Sequence, residues 1–516
     1  MSDYQGSRFR DRRGLRRAVV LLSVLLGLAL VAVGGSLLGA ESASPAPAPS
    51  AVVGRTATVC TVPSAGGSSA SPAPSADPTA DPTAEPSGTE ATVPPSAVSA
   101  VAVRQPVAGG RLSGAPLGAT GTAEPGELDV TEQGTGASLP SVTSPLVLTG
   151  EGAMATAVSG VVTSTATSGE STGLMAAPCL LPGTEQWFVG VGSSESDRTE
   201  LILVNPDDAQ AEVDLRFYGA SGRVVVPGSP GVVVGARETR TVSVDSLIDA
   251  PGPVAVAVRA SSGRVSVAAR RIRTDDLKPA GADWQVPSAG PGTSLVVPGV
   301  PGGAGSRLLE LVNPGTETAT VGVEVLGLGG PFAPAGADAV QVPPESTATV
   351  ELTAGLAQEA GSVRLRSDRP VSAAVVSTST RDGAVPDLAV QSAEPALVRQ
   401  GVAAVATTTG STASELVLSN AADTDAPVSF ELLSYAGVSL RRDEILLGAG
   451  TTATRRLTSP EPSYVVVTVP DGSTVVGSVT LTLPDADVAG LATIALLSPD
   501  VAGRAPRVEQ DPAVGR

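Results

Sequence analysis

Leu201-Ile202-Leu203-Val204-Asn205-Pro206 returns twice along the chain, as Leu309-Glu310-Leu311-Val312-Asn313-Pro314 and as Leu416-Val417-Leu418-Ser419-Asn420-Ala421. These stretches hold the only asparagines of the chain, and the step from Asn205 to Asn313 differs from the step from Asn313 to Asn420 by a single position. On the eighth, tenth and twelfth places beyond each asparagine lie Val213, Leu215 and Phe217, then Val321, Val323 and Val325, then Val428, Phe430 and Leu432. The residues between them are polar or small, the period-two pattern of a strand with one buried face. The register still holds much further on, at Val242, Val350 and Leu457, which keep one common offset from their asparagines. Agreement over that span without insertion points to a domain copied three times.

Composition fits short strands. The chain has 42% apolar residues, 59 glycines and 44 prolines, which favours turns and linkers over long helices. Each repeat reads as a strand ending at the asparagine, the alternating strand, a Gly/Pro-rich stretch, the strand around Val242 or its counterparts, and a closing pair. That pair reads as a hairpin: Val254–Val258 with Val265–Ala269, Val363–Leu365 with Val371–Val375, and Tyr464–Val469 with Thr474–Leu481. The fold class expected is all-β: an N-terminal β domain over 51–182, then immunoglobulin-like sandwiches over 183–278, 279–396 and 397–500, strung as a rod. Asn205, Asn313 and Asn420 are expected to form the turn that ends each strand, since the side chain can bond local backbone; a glycan contact is the rival reading.

Residues 1–17 carry Arg8, Arg10, Arg12, Arg13, Arg16 and Arg17 against Asp3 and Asp11, and residues 18–40 carry no charge. Twenty-three helical residues span roughly 34 Å, enough for a bilayer core of about 30 Å. The expectation is a basic cytoplasmic tail and an uncleaved transmembrane anchor, with the rest of the chain outside the cytoplasmic membrane. Secretion after signal-peptide cleavage is the alternative. Residues 41–50, the Pro/Thr/Ser tract 63–96 and the tail 501–516 read as disordered, and the tract is a candidate for glycosylation. Beyond residue 40, 27 basic residues face 49 acidic ones, a formal charge of −22 that argues against nucleic acid.

Cys60 and Cys179 are the only cysteines. In an exported chain they are expected to form a disulfide, two free thiols being the alternative. There is no histidine, so Ser-His-Asp, Cys-His and HExxH chemistry are all excluded. Gly169-Glu170-Ser171-Thr172-Gly173 spells the G-x-S-x-G of a nucleophile elbow without a base. Glu324 and Glu431, both on the eleventh place past their asparagine, are read as a solvated face, and Asp423-Thr424-Asp425 as an acidic turn. No metal or cofactor is expected. Sugar binding would use aromatic platforms, for which the candidates are Trp187, Tyr218 and Trp284. The competing reading packs Trp187 in a core strand and has Trp284 seal a joint between domains.

Leu146-Val147-Leu148-Thr149-Gly150, Gly173-Leu174-Met175-Ala176-Ala177-Pro178-Cys179, Trp187-Phe188-Val189-Gly190, the stretch 201–206, Asp283-Trp284 and Val297-Pro298-Gly299 together give a family likeness. The chain resembles an actinobacterial family of membrane-anchored or secreted proteins of unknown function. The resemblance implies a setting at the cell envelope and carries over no catalytic or ligand residue. The expected role is non-catalytic and structural, through contacts with envelope proteins or glycans. A carbohydrate-binding protein is second and an acid-pair glycoside hydrolase third. Oligomeric state is not legible.

Overall fold

The computed structural model describes residues 53–62, 95–118, 128–248, 250, 252–405 and 412–499. The expected tail 1–17, anchor 18–40, spacer 41–50, most of the tract 63–96 and the tail 501–516 lie outside them. Among the described residues no helix is long and apolar enough to cross a membrane.

The chain is all-β, and its sheets are antiparallel. Unit 1 comprises β1 (Arg55–Cys60), β2 (Ser96–Ala102), β3 (Arg111–Pro116), β4 (Leu128–Val130), β5 (Thr135–Val142), β6 (Leu146–Glu151), β7 (Val158–Ala166) and β8 (Gly173–Pro178). Unit 2 comprises β9 (Glu185–Val191), β10 (Asp197–Val204), β11 (Ala211–Gly219), β12 (Gly222–Val224), β13 (Val232–Val234), β14 (Thr239–Ser243), β15 (Val254–Ser262), β16 (Ser266–Asp275) and β17 (Lys278–Gln285). Unit 3 has β18 (Gly292–Val300), β19 (Arg307–Asn313), β20 (Ala319–Gly327), β21 (Gly330–Phe332), β22 (Val340–Val342), β23 (Ser346–Glu351), β24 (Gly361–Ser379) and β25 (Asp387–Ser392). Unit 4 has β26 (Gln400–Val405), β27 (Ala413–Asn420), β28 (Ala426–Ser434), β29 (Ser439–Leu447), β30 (Thr452–Leu457), β31 (Ser463–Thr468), β32 (Val475–Thr482) and β33 (Leu491–Ala495).

All four units share one topology. The orders β1-β6-β3-β4, β9-β15-β11-β12 and β26-β31-β28-β29 form one sheet of units 1, 2 and 4; β5-β2-β7-β8, β14-β10-β16-β17 and β30-β27-β32-β33 form the other. Unit 3 repeats both, with β24 serving the two sheets in turn. The N-terminal domain is therefore a fourth copy. Ala102 faces Thr135 and Val158 as Val204 faces Thr239 and Ser266, so Val103 holds the place of the marker asparagine.

Three expectations need correcting. In the immunoglobulin order the first strand lies beside the second, whereas here it pairs with the strand sixth in topological order, as β9 does with β15. The closing pairs are not hairpins: β15 pairs with β9 and β11, β16 with β10 and β17, so the chain crosses from sheet to sheet between them. Both strands begin with a run buried on both faces, so no period-two alternation marks which sheet each one joins. The boundary expected at 278/279 falls after Gln285, because β17 completes the sheet of β16.

The units do not form a rod. The described residues fall in one compact body, and the last strand of each copy meets the others at its centre: β17 packs on β8 and β25, and β33 on β25 and β8. At the periphery β9 lies on β19 and β24, β18 on β27 and β32, and β26 on β2 and β7. Val59 of β1 packs with Ile202, Val204 and Ala268 of unit 2, closing the cycle.

Candidate functional site

Where four strands converge, backbone N–H groups have no sheet partner on their inner side and need acceptors. Asp387 supplies them. Its Oδ2 accepts from Leu174 N at 2.9 Å and Leu491 N at 2.8 Å, and its Oδ1 from Leu388 N at 2.9 Å and Ala282 N at 3.3 Å. One donor comes from each unit. Asp283 lies beside it and accepts from Ala176 N at 3.3 Å and Val390 N at 3.1 Å. Both carboxylates are 0% exposed. Burial pushes Asp387 up to about 7 against the pull of the four N–H groups. Burial, with the Asp387 charge adding to it, pushes Asp283 well above the carboxylate range. Backbone comes close at this hub: Gly281, at φ +114°, leaves no room for a side chain, since a Cβ would stand 2.5 Å from Leu388 N.

The three asparagines occupy one environment each time. Asn313 Nδ2 donates to Glu317 O at 2.7 Å, Val342 O at 3.0 Å and Pro343 O at 3.1 Å, and its Oδ1 accepts from Gly315 N at 2.9 Å. Asn205 bonds Ala209, Val234, Gly235 and Asp207 in the same way, and Asn420 bonds Thr424, Leu447, Gly448 and Ala422. At 0–1% exposure, with the amide hydrogens and oxygen engaged by local backbone, they close turns. Cys60 and Cys179 form a disulfide. It joins the end of β1 to the residue after β8, next to the Val59–Leu180 bridge.

The aromatic candidates do not share one groove. Trp187 and Tyr218 stack with centroids 5.8 Å apart and line a cleft of about 660 Å3 between units 2 and 3. Trp284 lies elsewhere, packed with Met175, Ala177 and Ile202 across the joint between units 1 and 2. The rings are 4%, 5% and 2% exposed, so none is an open platform. Ser171 sits in the turn before β8, closed by Thr172 N to Gly169 O. Glu324 is not simply solvated, since it pairs with Arg364; Asp423 joins that pair, and Asp425 Oδ1 caps Ala449 N at 3.0 Å. Buried Arg271 pairs with half-buried Asp197 at 2.6 Å and donates to Gly190 O, which lies against Glu310 and Val376 of unit 3. Glu310 of unit 3, near Arg271, is pushed by burial up to about 6.

Sequence reading did not assign the central carboxylates. The available signal was an acid inside an apolar run, as in Gly281-Ala282-Asp283-Trp284 and Val385-Pro386-Asp387-Leu388.

Residues 130–458 match a family of unknown function, DUF5719. The chain belongs to that family. The match takes in units 2 and 3 whole, with parts of units 1 and 4. No curated protein matches the chain.

Proposed function

We propose that this DUF5719 chain is a non-catalytic scaffold: a four-unit β body held outside the cytoplasmic membrane by residues 18–40, presenting surfaces to proteins or glycans of the cell envelope. The observation carrying this reading is the hub, whose two acids are fully buried and spent on backbone N–H groups, Asp387 taking one from every unit. A glycosidase instead needs two carboxyls about 5–10 Å apart across a cleft that admits substrate. The disulfide suits an oxidising compartment. Cross-linking in intact cells, followed by identification of what is captured by the tagged chain, tests the role; recovery of the chain in the soluble cytoplasmic fraction would sink it.

The second reading, a carbohydrate-binding protein, keeps one supporting observation, the Trp187–Tyr218 cleft. A glycan array on the purified chain tests it: saturable binding lost on Trp187→Ala would favour it over the scaffold.

A further inference from the structure

The last strand in the order of each unit's first sheet lies at an edge, and the units treat that edge differently. Units 2 and 3 break it into β12 and β13, and into β21 and β22, of three residues each. The breaks carry Pro227, Gly228 and Pro230, or Pro334 and Gly336. They fold back on the neighbouring strand, where Ser229 O accepts from Leu215 N and Ala337 O from Val323 N. Unit 1 has only the three residues of β4. In unit 4, Ser439–Leu447 holds neither glycine nor proline, and β29 runs nine residues unbroken. Among the described residues it pairs with β28 alone. Glu444 N donates at 3.0 Å to the carboxylate of the preceding Asp443, a side chain standing in for a neighbouring strand. A long free edge is a template for one more strand.

Its side chains specify which strand. Register sets Leu446 opposite Pro427, Glu444 opposite Ser429 and Arg442 opposite Glu431, so Arg442, Glu444 and Leu446 stand on the outer face. All three are exposed, the Arg442 side chain to 70% and Leu446 to 68%. From Arg441 to Glu444 the strand carries two positive charges and then two negative ones. A second copy paired antiparallel is related by a two-fold axis normal to the sheet, which keeps each residue on its own face, so the axis passes through a residue. On Arg442 or on Glu444 it would set like charges together. On Asp443 it sets Arg442 of each copy opposite Glu444 of the other, and Leu446 opposite Leu440. Opposite charges across a strand pair stabilise it, and like charges destabilise it. Arg442 already holds Glu431 at 2.9 Å, and its exposed guanidinium has room for a second carboxylate. On the inner face the two Asp443 side chains approach, each balanced by Arg441 at 3.2 Å and Arg455 at 3.5 Å.

We propose that β29 is the interface of a two-fold dimer of this chain, in which the strands of two copies pair antiparallel about Asp443 and join the first sheets of both fourth units into one continuous sheet. This goes beyond the scaffold reading and stands on strand register and charge order alone.

The test uses the full chain in detergent micelles. Asp443→Cys puts one thiol of each copy at the axis, where opposed Cα atoms lie about 4.5–5.5 Å apart, within disulfide reach. Arg441→Cys puts them four residues apart along the strand, about 14 Å, out of reach. The native cysteines are buried and bonded to each other, so they do not compete. Mild oxidation should therefore give a covalent dimer with Asp443→Cys and none with Arg441→Cys. Sedimentation equilibrium of the unaltered chain should show a reversible dimer. Arg442→Glu should raise its dissociation constant about tenfold, because symmetry turns two attractive contacts repulsive. Adding Glu444→Arg should restore association, since opposite charges face one another again. Leu446→Lys, at an exposed position, supplies the loss of association if Arg442→Glu does not fold. A chain that sediments as a monomer and forms no Asp443→Cys dimer overturns the proposal. So does a dimer untouched by both Arg442→Glu and Leu446→Lys, or one linked equally well through Arg441→Cys.

Discussion

A buried side-chain amide must place both of its hydrogens and its oxygen, and at Asn205, Asn313 and Asn420 the surrounding backbone does so each time with two turns far apart in sequence. The Asn313 amide joins the turn at Gly315–Glu317 to the strand end at Val342–Pro343. Asn313→Ala leaves those carbonyls unpaired and should cost about 1–3 kcal/mol. Asn313→Asp, which turns an acceptor toward three acceptors, should cost more. Urea unfolding measures both; losses below about 0.5 kcal/mol, the size of an ordinary surface change, would show that the turns hold themselves.

The acids of the hub make a prediction of opposite sense to ordinary surface carboxylates. Unfolded, Asp387 titrates near 3.8; folded, it titrates at about 7. Between those values the folded chain binds a proton that the unfolded chain does not, so stability falls as pH rises through the window, by at most about 1.4 kcal/mol per pH unit for each such group. Asp283 is displaced in the same direction. The melting temperature should therefore be higher at pH 5 than at pH 8, and Asp283→Asn, which mimics the protonated acid, should flatten the dependence. A melting temperature that climbs from pH 5 to pH 8 would mean that the hub favours the charged form.

At the level of elements, the alternating strands were legible and their partners were not. β11, β20 and β28 show the burial alternation expected from Val213, Val321 and Val428 onward. The strand pairs that read as hairpins were misassigned because β15 and β31 have no polar face to mark a sheet, and a short Ser-Gly or Asp-Gly link can make a tight turn or an arch between sheets. The disulfide was legible from the chain's only two cysteines, and its position has a consequence. It fixes the first strand of unit 1 to the end of the last, across a separation of 119 residues. On the chain-entropy model this removes up to about 5 kcal/mol from the unfolded state. Cys60→Ser with Cys179→Ser should lower the urea midpoint substantially. Thiol titration in denaturant should count no thiols without reductant and two with it; two thiols before reduction would contradict the bridge.

For the whole molecule, copying was written in the sequence and closure was not. Three copies showed themselves through asparagine, while the first stayed hidden because Val103 stands in that place and the long tract 61–95 separates β1 from β2. Closure depends on N–H groups at Leu174, Ala282, Leu388 and Leu491, which no side-chain pattern announces. It also changes what a deletion does. Units on a string stand when a neighbour is removed, whereas here removal of unit 4 strips β33 from β8 and β25, uncovers Leu174 and Ala176 where they pack with unit 4, and takes one of the four donors from Asp387. A chain ending at residue 396 should lose structure well beyond the cut. Amide hydrogen exchange at Leu174 and along β25, slow in the full chain, should approach the unfolded rate in the truncated one. Retained slow exchange there would mean that units 1 to 3 carry their own stability, and that the central carboxylate fastens a body already held together by its pairwise junctions.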